Sequence, residues 1–166
     1  MVPAIAAAVC DKEMSETHSH ETGGPLDYQH IADGIYIGTN QCCILGIAEV
    51  LKKEGITADI SLEDIRLDQP FGVEAYLWLP TPDHTPSTQD QLGIGAETIN
   101  SLVKRKKKVY VHCKHGHGRA TTLVAAYFIS KGRTPESAYA LIKEHRSAVH
   151  LQDSQMEALQ EFAKHF

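Results

Sequence analysis

Between Val109 and Lys131 the sequence leaves a folding chain little choice. Val109-Tyr110-Val111 is a run of β-favouring residues with no turn-former, and it leads straight into His112-Cys113. Glycines follow at 116 and 118, Arg119 closes the loop, and from Leu123 to Ile129 the side chains are apolar almost throughout. A helix that is apolar on every side has to be packed behind something. A strand passing through a short glycine loop into such a helix belongs to a layered α/β domain. The loop's main-chain N–H groups and the start of the helix then converge on a cup of phosphate size that favours an oxyanion. Arg119 can add a bidentate fork to that anion. The same field favours the thiolate of Cys113, the nucleophilic form of cysteine.

The remaining chain supports the same class. His30 to Gly38 reads as two short strands around the Asp33-Gly34 turn. Ile44, Ile47, Ala48 and Leu51 recur at helical spacing ahead of Gly55, and Ile56 to Leu62 has the continuous apolar character of a strand in a parallel sheet. Glu63 to Val73 reads as a polar connection, and Tyr76 to Pro80 as the next strand. Thr88 and Gln91 form a capping box for a helix with the stripe Leu92, Ala96, Ile99 and Val103. Thr134-Pro135 opens another helix, and Asp153 is placed to cap the last. The expected fold is α/β: a single domain with a central, mainly parallel β-sheet flanked by helices. Residues 28–166 form that domain, and residues 1–27, without a period, read as a flexible tail in preference to a metal site at His18 and His20.

Bulk properties narrow the function classes. A net charge of −5 argues against general nucleic-acid affinity. No apolar run approaches the roughly 20 residues of a membrane span. Four cysteines without regular spacing do not make a disulfide framework, so a reducing, cytoplasmic setting is expected. Cys42 and Cys43, near the start of the helix before Gly55, are either small core residues or resolving thiols for Cys113.

His112-Cys113, five residues and Arg119, preceded by Val-Tyr-Val and followed by a long apolar helix, resembles the signature loop of the cysteine-based protein phosphatases. It is most similar to the small dual-specificity branch found in archaea and bacteria. The resemblance implies a catalytic set of Cys113, Asp83 and Arg119, with Lys114, His115, Gly116, His117 and Gly118 as the phosphate-binding loop. Asp83 lies between Pro82 and Pro86 on a loop after a strand, thirty positions before Cys113 (113 minus 83). Such a placement suits an acid that protonates a leaving oxygen. His112 is expected to order the loop and tune the thiolate through hydrogen bonds, and Gln155 to position the hydrolytic water. Most relatives carry Ser or Thr after the loop arginine. Here Ala120 stands there, so release of the thiolate is expected to be slow unless Thr121 compensates.

The implied reaction needs no cofactor and no metal. The expected partner is a phosphorylated protein or peptide, bearing phosphotyrosine or phosphoserine/threonine, met by a monomer away from any membrane. Small polyanions are the alternative: Lys114 with a basic residue at 117 resembles the tensin-type lipid phosphatases, and His115-Gly116 is similar to RNA 5′-triphosphatases. A phospho-binding pseudophosphatase, slowed by Ala120, is a further alternative.

Overall fold

A computed structural model describes residues 25–166. Two strands open it, β1 (Tyr28–Ala32) and β2 (Ile35–Gly38), antiparallel around Asp33-Gly34, where both residues adopt positive φ (55° and 79°). A 3-10 turn (Asn40–Cys43), a short helix α1 (Glu49–Lys53), and strands β3 (Ile56–Ser61) and β4 (Ala75–Trp78) follow. Then come α2 (Gln89–Lys104), β5 (Lys108–His112), α3 (Arg119–Ser130), α4 (Pro135–His145) and α5 (Asp153–Ala163). The sheet order is β1-β2-β5-β3-β4, with every pair parallel except β1-β2, so the mainly parallel sheet read from the sequence is present.

Strand β5 runs between β2 and β3, which places Cys113 at the carboxyl end of the middle of the sheet, where α/β folds bind ligands. The period-two alternation of the central strands divides the core. Ile35, Ile37, Val109 and Val111 pack with α2–α5, whereas Tyr36 and Tyr110 belong to a smaller cluster with Cys42, Cys43, Ile47 and Leu51. Helix α3 is buried from Arg119 to Ile129, as its uninterrupted apolar sequence requires. It crosses α2 so closely that a Cβ on Gly95 would lie 2.3 Å from Leu123 Cδ1. No helix among the described residues is long and apolar enough to cross a membrane.

Several local expectations need correction. The helical spacing of Ile44 to Leu51 yields only α1, because Gly46 takes φ +93° and the Ile47 N–H donates to Phe71 O at 2.9 Å instead of continuing a helix. Pro80, without an N–H, falls outside β4. The residue that caps α5 is Gln152, not Asp153, which is already inside the helix. The 63–73 connection is not simply solvated: Glu63 and Asp68 are both buried. The tail reading, with His18 and His20, concerns residues that lie outside the described ones up to 24. Asp27 accepts from the Thr39 N–H at 2.9 Å and pairs with Arg146 at 2.8 Å.

Candidate active site

The loop after β5 is held by its carbonyls. Lys114 O accepts from the Asn40 N–H (3.3 Å), His117 O from the His150 N–H (3.2 Å), and Gly118 O from the Thr122 N–H (2.8 Å) and Oγ1 (2.9 Å). His115 O and Gly116 O both accept from the Arg146 guanidinium, at 2.9 Å from Nη2 and 3.2 Å from Nε. Five consecutive carbonyls are thus turned outward and satisfied. In a trans peptide the N–H opposes the C=O, so the amides that follow them face the other way, into the cup. None of the N–H groups from Lys114 to Gly118 donates to a described residue. Helix α3 starts at the rim with Gly118 as its N-cap and no side chain covering its first amides. The loop cannot be built without Gly116. Its φ is +67°, and a Cβ there would stand 2.5 Å from Gly38 O.

The cup opens into a cleft of about 260 Å³ lined by Cys113, Lys114, His115, His117, Gly118 and Arg119 from the loop, with Asp83, His84, His150, Gln152 and Gln155 around it. Cys113 and Asp83, thirty positions apart in sequence, therefore share one cavity with Arg119. Cys113 sits at its base, nearly buried, whereas the Asp83 side chain is half exposed. Of the loop residues named from the sequence, Lys114, His115, His117, Gly118 and Arg119 line the cleft and Gly116 does not; Gln155 lines it as well.

Arg119 is buried and heavily committed. Its Nη1 donates to Thr81 O (2.9 Å), Leu62 O (3.3 Å) and Asp64 Oδ1 (3.3 Å), and its Nη2 to Glu63 Oε1 (3.0 Å). Asp83 Oδ1 lies 3.2 Å from the same Nη2. The Nε–H is buried and has no partner among the described residues, a free donor beside the cup. Glu63 is in turn fixed by Asn40 Nδ2, 3.3 Å from its Oε2.

Gln155 is a buried polar residue of α5, only 1% exposed. Its Oε1 accepts from the Gln152 N–H (3.0 Å) and its Nε2 donates to Thr85 O (3.1 Å), tying α5 to the loop that carries Asp83. That loop is further fixed by Gln91 Nε2 on Pro80 O (2.9 Å) and by the Thr81–Ser87 hydroxyl pair (3.1 Å).

Two supporting assignments change. His112 makes no hydrogen bond to the loop among the described residues; its buried imidazole instead lies 3.4 Å from both Asp59 and Asp68. Burial works against its protonation, but the carboxylates of Asp59 and Asp68 prevail and push its pKa up. Thr121 is fully buried, its hydroxyl is unpartnered, and it does not line the cleft, so it is not positioned to replace the missing hydroxyl at Ala120. Position 121 points away from 119 because one helical residue step is about 100°.

Cys42 and Cys43 are core residues, and burial raises the Cys42 thiol well above its ordinary range. The rim, by contrast, is rich in histidine beside Lys114. His115, His117 and His150 stack in series, with ring centroids 5.8 and 5.2 Å apart. His117 is pushed to a lower pKa by burial first, then by Arg146, His150 and His115. Sequence reasoning missed Glu63, Arg146, His150 and Gln152; the first three act across a long stretch of chain, whereas Gln152 forms a local capping box with Gln155 that its spacing could have marked.

Comparison with known proteins agrees with this geometry. Residues 35–165 match the model of the dual specificity phosphatase catalytic domain. The chain is 40% identical over 96 residues to human phosphatidylglycerophosphatase and protein-tyrosine phosphatase 1, covering 57% of this chain and 47% of that one. It is 35% identical over 124 residues to phosphatidylglycerophosphate phosphatase PTPMT2 of Arabidopsis thaliana, covering 69% and 54%. The matches therefore span only about half the length of these relatives. Among solved structures, PTPMT1 in complex with PI(5)P superposes with a TM-score of 0.69 at 25% identity, over 84% of this chain and 96% of that one. With its cysteine loop, cavity and fold in agreement, the chain belongs to the dual-specificity phosphatase family of cysteine-based phosphatases.

Proposed function

We propose that the chain hydrolyses phosphomonoesters through a phosphocysteine, and that its substrates carry a second anionic group close to the reacting phosphate, as acidic phospholipid headgroups do. The observation that carries this reading is the union of Cys113, Asp83 and Arg119 in one cleft whose rim is built from Lys114, His115, His117, His150 and His84. In the first step Cys113 Sγ attacks phosphorus while Asp83 gives its proton to the departing oxygen. In the second, Asp83 takes a proton from water, which displaces the thiolate. The inward amides and the Arg119 Nε–H hold the equatorial oxygens through both transition states, where preorganised donors act most strongly. Gln155, fastened at both ends of its amide, shapes the wall along which water approaches.

The rim of Lys114 and four imidazoles separates substrates. A lone phosphotyrosine places an uncharged ring against those histidines, whereas a phosphate next to a phosphodiester or a second phosphate places an anion there. The names of the relatives support this preference, and that of the human relative also includes a protein-tyrosine phosphatase, which keeps phosphotyrosine as a second reading. The test is a panel at equal concentration: a glycerophosphate lipid, a monophosphorylated phosphoinositide, a phosphotyrosine peptide and an aryl phosphate. The lipid esters are expected to lead in kcat/KM, with Cys113→Ser inactive on all four and Asp83→Asn strongly impaired. A phosphotyrosine peptide turned over faster than either lipid would reverse the substrate assignment, and an active Cys113→Ser protein would remove the mechanism.

A further inference from the structure

Behind the cup, on the sheet face that carries Tyr36 and Tyr110, lies a second group of reactive side chains that the phosphatase chemistry does not use. Cys42 and Cys43 come from the 3-10 turn, Asp59 from β3, and His112 from the end of β5. One ligand atom from each lies within 4.8 Å of all the others, and all four residues are at most 1% exposed. Cys43 Sγ is 3.3 Å from Asp59 Oδ2, and His112 Nε2 is 3.4 Å from Asp59 Oδ1.

A separate observation concerns satisfaction of polar atoms. Asp59 Oδ1, both nitrogens of His112 and Oδ2 of the adjacent Asp68 are buried with no hydrogen-bond partner among the described residues. Buried polar atoms in a native core nearly always have a partner, and charged ones are paired or bind a metal. Three of these atoms meet next to the two thiols, with His112 Nε2 3.4 Å from both Asp59 Oδ1 and Asp68 Oδ2 and no hydrogen bond formed, so a metal cation in place of the Nε2 proton would satisfy them together.

The donor set identifies which cation. Two sulfurs, one imidazole nitrogen and one carboxylate oxygen make a closed tetrahedral set of the kind that holds structural zinc, and thiolates select against magnesium and calcium. Bonds of about 2.0–2.3 Å give a tetrahedron with edges of roughly 3.3–3.8 Å, so rotamer adjustments of about an ångström complete the shell.

We propose that Cys42, Cys43, Asp59 and His112 bind one zinc ion. Binding releases the two thiol protons, and any proton held on His112 Nε2, to solvent, leaving two thiolates and a neutral imidazole as ligands. The ion would clamp the Asn40–Cys43 turn to the ends of β3 and β5. Asn40 supports the loop at Lys114 O and holds Glu63, and His112 immediately precedes the nucleophile, so the site would act as a positioning element for the cup. It stands independently of the substrate class.

The test uses the full chain carrying Cys113→Ser, which removes the competing thiolate of the cup, produced in zinc-replete medium and purified reduced without chelator. One zinc per chain is expected, with an X-ray absorption shell of two sulfurs and two nitrogen or oxygen atoms. The double variant Cys42→Ser/Cys43→Ser in the same background should lose the ion, and Asp59→Asn should bind it more weakly. Because the double variant could fold poorly, the absorption spectrum of the intact cluster decides by itself. Less than a tenth of an equivalent of zinc, a shell of nitrogen and oxygen alone, or zinc held by the wild type and lost with Cys113→Ser would each overturn the proposal.

Discussion

Replacing Arg146 by Met removes the brace of the phosphate loop while leaving every residue in contact with substrate in place. Arg146 is almost fully buried and donates to His115 O (2.9 Å) and Gly116 O (3.2 Å), to Gln29 Oε1, and to Asp27 Oδ2 (2.8 Å). A hydrogen bond from a charged donor contributes about 1.5–3 kcal/mol, and two loop carbonyls lose theirs together. The Asp27 carboxylate is half exposed, so its ion pair adds only about 0–1 kcal/mol. Methionine recovers some packing, which leaves an expected loss of about 3–5 kcal/mol, in the range found when one member of a buried pair is removed. For a domain of this size that is a fall in Tm of roughly 10–20 °C. Function should suffer beyond stability, because unsatisfied carbonyls can turn inward and take the amides with them. A displacement of about 1 Å costs on the order of 10²-fold in rate. The assays are thermal unfolding, kcat/KM on an aryl phosphate well below the midpoint, and tungstate affinity by calorimetry. Arg146→Lys restores one of the two loop bonds and should fall between. If Arg146→Met unfolds within about 1 kcal/mol of the parent and binds tungstate equally well, the loop does not depend on its outward carbonyls and the reasoning is refuted.

Three further outcomes are expected. Glu63→Gln leaves the Arg119 fork without its buried counter-charge, and kcat/KM should drop about tenfold to a hundredfold with little change in KM; an unchanged kcat would show that Asp64 and the carbonyls of Leu62 and Thr81 suffice. Ala120→Ser should raise kcat several-fold and shrink the burst of product in rapid mixing, since Thr121 does not line the cleft; equal turnover in both proteins would show that loss of the thiolate is not limiting. The lowered pKa of His117 means that it is neutral at pH 7 and gains its proton only below the ordinary histidine range, so an anion that keeps its charge, such as sulfate, should inhibit more tightly as pH falls. The gain is up to about tenfold per pH unit, and His117→Asn should flatten it; an identical Ki profile in that variant would refute the assignment to His117.

What could be read from the sequence was contiguous in it. Val109 to Ile129 contains the central strand, the cup and the buried helix, so local patterns alone fix their relation, and the Thr88–Gln91 capping box forms as its spacing requires. Asp83 was legible because proline brackets mark a loop even though its contact with Arg119 spans the fold. Glu63, Asp68 and Arg146 were not. A charged residue in a polar stretch looks solvated until tertiary packing shows the partner that lets it be buried, and Arg146 reaches back 31 positions to His115. His112 was misassigned for a related reason: its neighbour in sequence is the nucleophile, but alternation along β5 turns its side chain to Asp59 and Asp68.

These long-range charges explain why one short loop needs most of the domain around it. A ring of inward amides is unfavourable unless something takes the carbonyls on the outside, and here Asn40, Thr122, and Arg146 with His150 do so from three separate segments. Arg119 has the converse problem, since a guanidinium under a phosphate cup must be neutralised without being pulled away from it. Glu63 and Asp64 hold its two terminal nitrogens, Asp83 Oδ1 lies 3.2 Å from Nη2, and the buried Nε–H is left without a partner among the described residues. A phosphoryl group seated on Arg119 competes with Asp83 for Nη2. On the proposed mechanism that competition is useful, because it releases the Asp83 carboxyl from the guanidinium so that it can reach the leaving oxygen.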